Sequence, residues 1–384
     1  MKRLLFAITA LLCALQLQSA ESERRLLYVA TPGIRNYLEY GGHGLLVFDI
    51  DHEHKFVKRI KTSGLDTEGK PLNVKGVCAS AATKRIYINT TRTMTCLDLV
   101  TEKIIWEKSL PGGCDRMSIS PDGKVIYSPS LEGPHWNIVD AMSGERIAKI
   151  TPNSGAHNTI VGLEGKHAYL AGLRSPWLTI ADISTHTSNA CVGPFSAPIR
   201  PFTVNGMQTR AFCCVNELLG FEVGDIKSGK VLARVEVEGF KKGEPKRHGC
   251  PSHGVGLTPD EKEVWVCDAV NRRMHIFDAT VMPPKQKTSI ELRDEPGWIT
   301  FTIKGDLGYP STGDVVDTTT KKIVAHLTDE TGAAVQSEKL LEIDFRGNQP
   351  IRAGDQFGVG RVTPRAPRPR RKKDARGATR PTIK

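Results

Sequence analysis

The chain has 384 residues, with 53 Lys+Arg against 42 Asp+Glu and a formal charge of +11. Hydrophobic residues make up 39% and charged residues 25%, which excludes a wholly disordered chain, a collagen and a multi-span membrane protein. A basic excess of this size points first to a nucleic-acid or anionic-surface partner, unless the charge is confined to one region.

Residues 1–20 are expected to be a cleavable signal peptide. Met1-Lys2-Arg3 gives a positive start, and Leu4 to Leu17 is apolar except for Thr9 and Gln16. The small pair Ser19-Ala20 then precedes Glu21. The apolar run is short for a membrane span. Cys13 makes a poor lipoprotein site because bulky Leu12 precedes it. The mature protein is therefore expected to be secreted or periplasmic, with no membrane span, and monomeric.

Eight cysteines remain after Cys13: 78, 96, 114, 191, 213, 214, 250 and 267. An exported protein permits disulfides. These cysteines mostly fall in predicted strands, where buried thiols are common, and no CxxC pair or zinc spacing appears. Mostly free, buried thiols are expected.

From Leu26 onward one unit repeats. An aromatic followed by β-formers stands at Tyr28, Tyr87, Tyr127, Tyr169, Phe212, Trp265 and Tyr309. From Tyr87 the steps are 40, 42, 43, 53 and 44 residues. A tight-turn signal precedes most of these aromatics, as in Ser120-Pro121-Asp122-Gly123. An apolar-Asp end follows, as in Leu97-Asp98, Val139-Asp140, Ala181-Asp182, Phe277-Asp278 and Val316-Asp317. The first unit reaches its Phe48-Asp49 late, and the fifth departs, with Phe221-Glu222-Val223 there. Each unit reads as four short strands, A to D. Seven such units predict an all-β chain, a seven-bladed β-propeller of four-stranded blades over residues 21–345. The first unit lacks a strand A, and one extra strand, Lys339 to Phe345, follows the last. That C-terminal strand is expected to complete the first blade and close the ring.

The aromatic-led strand, the Ser-Pro-Asp-Gly turn and the apolar-Asp strand end resemble the YVTN repeat. That repeat belongs to a superfamily of exported seven-bladed propellers that includes lactonase-like proteins. The resemblance covers about residues 26–345 and implies the fold. Its hallmark residues are structural, so it carries over no catalytic residue.

In a propeller the D–A connections and the B–C loops surround one mouth of the central channel, where functional residues on repeat folds concentrate. Candidate ligand-binding residues there are Arg35, His43, Arg92, Arg116, Arg174 and Arg200, with Glu217, His248, Asp268 and Trp298. Arginines drawn from different blades suit bidentate binding of carboxylate or phosphate. His157, His253 and His135 are the candidate catalytic bases. Imidazoles with Glu217 or Asp268 offer a divalent-metal site as one alternative, and general-base chemistry with an Arg-stabilised anion as another. The arginines also have a bland reading, pairing with Asp115, Glu217, Asp268 and Glu338 to fix the loops. Two long loops, Thr31 to Gly44 and Gly239 to Ser252, suit a lid or ligand wall.

No GxSxG elbow, P-loop, HExxH helix or dinucleotide fingerprint occurs. The reading favours an exported propeller that binds a small anionic, sugar-acid-like ligand or a protein partner at this mouth. The alternative is an enzyme using the same mouth, a lactonase-like hydrolase or a lyase on an acidic sugar. A quinone-cofactor enzyme is a distant third.

The charge divides by region. Residues 361–384 hold ten basic residues and one acid, and residues 1–20 hold two basic residues and none. Residues 21–360 therefore carry 41 of each sign. The extension 346–384 is expected to end in a disordered basic tail, 361–384. In an exported protein that tail fits an anionic envelope surface better than nucleic acid, and a solvated tail with no partner is the alternative.

Overall fold

The computed structural model describes residues 22–363; residues 1–21, with the expected signal peptide, and residues 364–384 lie outside the described residues. Seven antiparallel sheets follow one another along the chain, six of four strands and one of five. A single 3-10 turn, Leu38–Tyr40, interrupts the strands among the described residues. This is the seven-bladed propeller the repeat predicts.

The repeated aromatic acts between blades. Tyr28, Tyr87, Tyr127, Tyr169 and Tyr309 are all buried, and four of their hydroxyls reach the next blade. Tyr87 donates to Ala141 O at 3.0 Å and Tyr169 to Gln208 Oε1 at 3.1 Å. Tyr127 and Tyr309 meet His186 and His54 at 2.8 and 2.9 Å. A ring fills the apolar wedge while its hydroxyl satisfies a polar turn beyond it, which neither Phe nor Leu does.

The apolar-Asp end also has a local cause. Asp98 Oδ1 accepts from the backbone N–H of Val100 and Thr101 at 2.9 and 2.6 Å, closing the turn into strand D. Asp140, Asp182, Asp278 and Asp317 repeat this bond to the turn that follows them. The fifth blade does not depart after all: Asp225 ends its strand C and accepts from Ser228 N at 2.7 Å. The departure is only in the residue before it, Gly224, which faces Val192 and Phe195 too closely for a side chain.

The ring closes as expected. Leu340–Arg346 pairs antiparallel with Glu23–Thr31, with Leu26 opposite Ile343. The first blade then gains a fifth strand, Gln349–Ala353, on its inner edge. Beyond it the chain enters the channel. Gln356 Oε1 accepts from Val77 N at 3.0 Å, Gly358 O accepts from Leu257 N and Thr203 Oγ1 at 2.8 Å, and Gly360 N donates to Val204 O at 3.0 Å. Phe357 and Val359 are buried. One segment of the extension is therefore a plug inside the ring. Arg361 and Val362, which open the basic tail, are held by Pro259 O and Glu261 at the A–B turns of blade six.

All eight described cysteines are free thiols, and only Cys191 is exposed.

Candidate functional site

The channel mouth opposite the plug holds a polar cavity of about 260 Å³. It lies where the D–A connections converge, so most of its side chains come from residues at or just ahead of the start of strand A. Lys75, His157 and Arg200 stand at the start of strand A in blades two, four and five; Arg116 precedes strand A of blade three, His248 and His253 that of blade six, and Glu338 the closing strand.

These groups form one connected network. Asp115, fully buried, takes Nδ1 of His157 at 2.6 Å, and Lys75 Nζ lies 3.5 Å from its other oxygen. Nε2 of His157 faces Arg116 Nη1 at 3.1 Å. A guanidinium only donates, so Nε2 is the acceptor and the proton sits on Nδ1. Arg116 next binds Glu338, whose Oε2 also receives Lys339 Nζ at 2.6 Å. Lys339 donates in addition to Gly33 O at 2.9 Å. Beneath Arg116 lies the Trp298 ring, 4.5 Å from the guanidinium carbon. Trp298 packs edge-on against Phe357 of the plug and donates its indole N–H to Gln356 O. The mouth and the plug thus share a wall.

Burial governs the protonation states. Burial would raise the Asp115 carboxyl, but His157, Lys75 and Arg116 together hold it at about 2. Burial lowers His157 against the upward pull of Asp115. Burial pushes His248 down to about 4 and His253 well below the usual histidine range. Glu338 stays ionised because Lys339 and Arg116 outweigh its burial. Lys339 is depressed by burial to about 7 in spite of Glu338. Near neutral pH the imidazoles are uncharged and the carboxylates charged.

Six Lys and Arg side chains line the cavity against two acids, Glu132 and Glu338. Arg35 donates to Arg247 O at 3.0 Å. Arg200 donates to Asn216 Oδ1 at 2.6 Å and to Gly249 O at 3.1 Å. Neither has a carboxylate within ion-pair distance among the described residues. Their charge is thus available to a ligand.

No protein-family model matches the sequence, and no curated protein matches it. Among solved structures the chain is similar to a chain of Kuenenia stuttgartiensis hydrazine synthase, at 12% identity and a TM-score of 0.45, covering 64% of this chain and 96% of that one.

The sequence-derived candidates fall into two groups. Arg35, Arg116, Arg200, His157, His248 and His253 come together at the cavity, with Trp298 beneath. The others lie elsewhere. His43 meets Ser63 O at 3.2 Å, and His135 meets Pro111 O at 3.0 Å. Arg92 is exposed; Arg174 caps Glu132 O at 2.8 Å. Glu217 pairs with Lys242, and buried Asp268 pairs with His275. Neither Glu217 nor Asp268 joins His248 and His253; the carboxylate beside those two rings is Glu338.

Lys339, Arg247 and Glu132 were not among the candidates. Lys339, expected only as the first residue of the closing strand, stands buried just ahead of that strand. The long-loop reading does locate Arg247. It stacks on Tyr40 with 5.2 Å to the ring centroid, donates to the Tyr40 hydroxyl at 2.9 Å and pairs with Asp294. The two long loops thereby meet and form one wall of the mouth.

Proposed function

We propose that this chain is an exported β-propeller of the YVTN-repeat, lactonase-like kind that binds a small anionic ligand at the channel mouth. The observation that carries this reading is the pair Arg35 and Arg200. Both border the same cavity, and their guanidinium groups meet carbonyl oxygens rather than carboxylates. Two uncompensated guanidiniums in a half-enclosed site favour a carboxylate or phosphate over a neutral ligand. The size of the cavity suits a sugar acid or a comparably small anion.

Titration calorimetry with glucuronate, citrate and inorganic phosphate tests the reading. At least one of these is expected to bind, with a five- to tenfold loss in Arg35→Gln and in Arg200→Gln. Absence of binding by all three, or an affinity in both variants equal to that of the parent, would refute it. Export is part of the same proposal, and the N-terminal residue of the protein recovered from its native cell tests it: a start near Glu21 is expected, and a retained Met1 overturns it.

A further inference from the structure

His248, His253 and Glu338 each present one ligand atom, and the three atoms lie within 4.8 Å of one another. We infer that these three side chains form a binding site for a divalent transition-metal ion at the floor of the mouth.

The first support is orientation. The two imidazoles stack with centroids 4.8 Å apart and planes inclined by 21°. Nδ1 of His253 lies 3.2 Å from Gly297 O. A carbonyl oxygen only accepts, so the proton is on Nδ1 and Nε2 keeps its lone pair. Metal-binding histidines are typically fixed in this way, with the second ring nitrogen donating to a backbone carbonyl.

The second support is an orphaned atom. Nε2 of His248 is buried and has no hydrogen-bond partner, on a side chain that is 3% exposed. Buried polar atoms in native proteins are nearly always satisfied, and an exception calls for an explanation such as an ion.

A third support is space. A Cβ placed on Gly297 would lie 2.4 Å from His248 Nε2 and 2.6 Å from Glu338 Oε1. The imidazole nitrogen and the carboxylate oxygen therefore converge beside a residue that has no side chain. Oε2 of Glu338 is occupied by Arg116 and Lys339, whereas Oε1 meets only Nδ1 of His248, at 3.4 Å. One carboxylate lone-pair edge is thus left facing the two rings.

Two imidazoles and one carboxylate are the donor set of zinc and its neighbours, not of calcium or magnesium, which prefer oxygen alone. Three protein ligands leave a coordination position for a further donor, the pattern of open zinc sites. Arg116 and Lys339 draw on the same carboxylate, which weakens its hold on an ion. This site stands apart from the anion reading, which rests on Arg35 and Arg200.

The experiment is calorimetric titration of the chelator-treated full chain with zinc chloride, paralleled by visible absorption with cobalt chloride. One ion per chain is expected. His253→Gln and Glu338→Gln should each weaken zinc binding at least tenfold, whereas His135→Gln, outside the site, should bind as the parent does. Zinc should also raise the melting temperature of the parent chain and not that of His253→Gln. Should Glu338→Gln fail to fold, His253→Gln carries the test. Substoichiometric binding in the parent, or unchanged affinity in His253→Gln, overturns the site. Titration of the metal-free chain with glucuronate and phosphate separates the two readings: retained anion binding without zinc binding sinks this site alone, and zinc binding without anion binding sinks the other alone.

Discussion

The Asp115 carboxylate lies 2.6 Å from Nδ1 of His157, and this contact decides which ring nitrogen meets Arg116. Asp115 thereby holds three neighbours, since Lys75 and its own Arg116 backbone N–H also reach it. Replacing it by Ala leaves a buried imidazole N–H and an ammonium without their partner. Breaking a buried pair by deleting one member costs about 3–5 kcal/mol. Asp115→Ala is therefore expected to lower the unfolding free energy in urea by roughly 3 kcal/mol. A loss within about 0.5 kcal/mol, the range of surface substitutions, would show that the pair is dispensable.

The arginines of the mouth should separate by position. Arg92 and Arg174 do not line the cavity, and Arg174 is spent on Glu132 O. Arg92→Gln and Arg174→Gln should leave ligand affinity within twofold of the parent, while Arg200→Gln weakens it five- to tenfold, about 1–1.4 kcal/mol. Salt should weaken the parent more than Arg200→Gln, because one charge fewer is being screened. Equal losses in all three variants would mean that the face acts by general charge and not through the cavity.

The repeat was legible because each of its marks has a local physical duty. The tyrosine wedges between blades and the aspartate closes a turn, so both recur at blade spacing. The mouth was legible only as a ring of positions. Sequence spacing places His135 and His157 on the same face, but His135 bonds to Pro111 O while His157 turns toward Arg116. Which side chains converge depends on loop paths across blades, and Glu338 and Lys339 enter the site only because the closing strand begins at its edge. The plug was not legible either. Gly354 to Arg361 has few apolar residues, and Phe357 and Val359 gain their burial from a channel that exists only once the ring has closed.

That plug makes the position of a truncation decisive. Ending the chain after Ala353 removes Gln356, Phe357 and Val359 from the channel and exposes Trp298. Phe357→Ala alone is expected to cost about 3 kcal/mol, as for other buried phenylalanines, and truncation at 353 more. Ending after Thr363 keeps the whole plug and should leave stability unchanged. Urea unfolding of the three proteins checks this order. A chain ending at 353 that is as stable as one ending at 363 would show that the plug does not brace the ring.

A last prediction concerns acid. His54 sits in the turn before strand D of blade one, with Nε2 2.9 Å from the buried Tyr309 hydroxyl. Burial, with Arg25 nearby, pushes its pKa down to about 4, against the weaker pull of Asp306, Asp49 and Asp51. An unfolded histidine titrates near 6.5. Between these values the unfolded chain holds a proton that the folded chain refuses, so stability is intact above about pH 6.5 and falls as pH drops toward 4. The His54 share of that fall is roughly 3 kcal/mol at 1.36 kcal/mol per unit. His157, His248 and His253 shift in the same direction, so the parent alone cannot isolate it. His54→Asn can, because Asn tolerates the positive φ of 57° at this position and does not titrate. Urea unfolding at pH 7 and pH 4.5 should show a smaller loss in the variant than in the parent, by about 2–3 kcal/mol. An equal loss in both proteins would mean that His54 takes up its proton without cost in the folded chain.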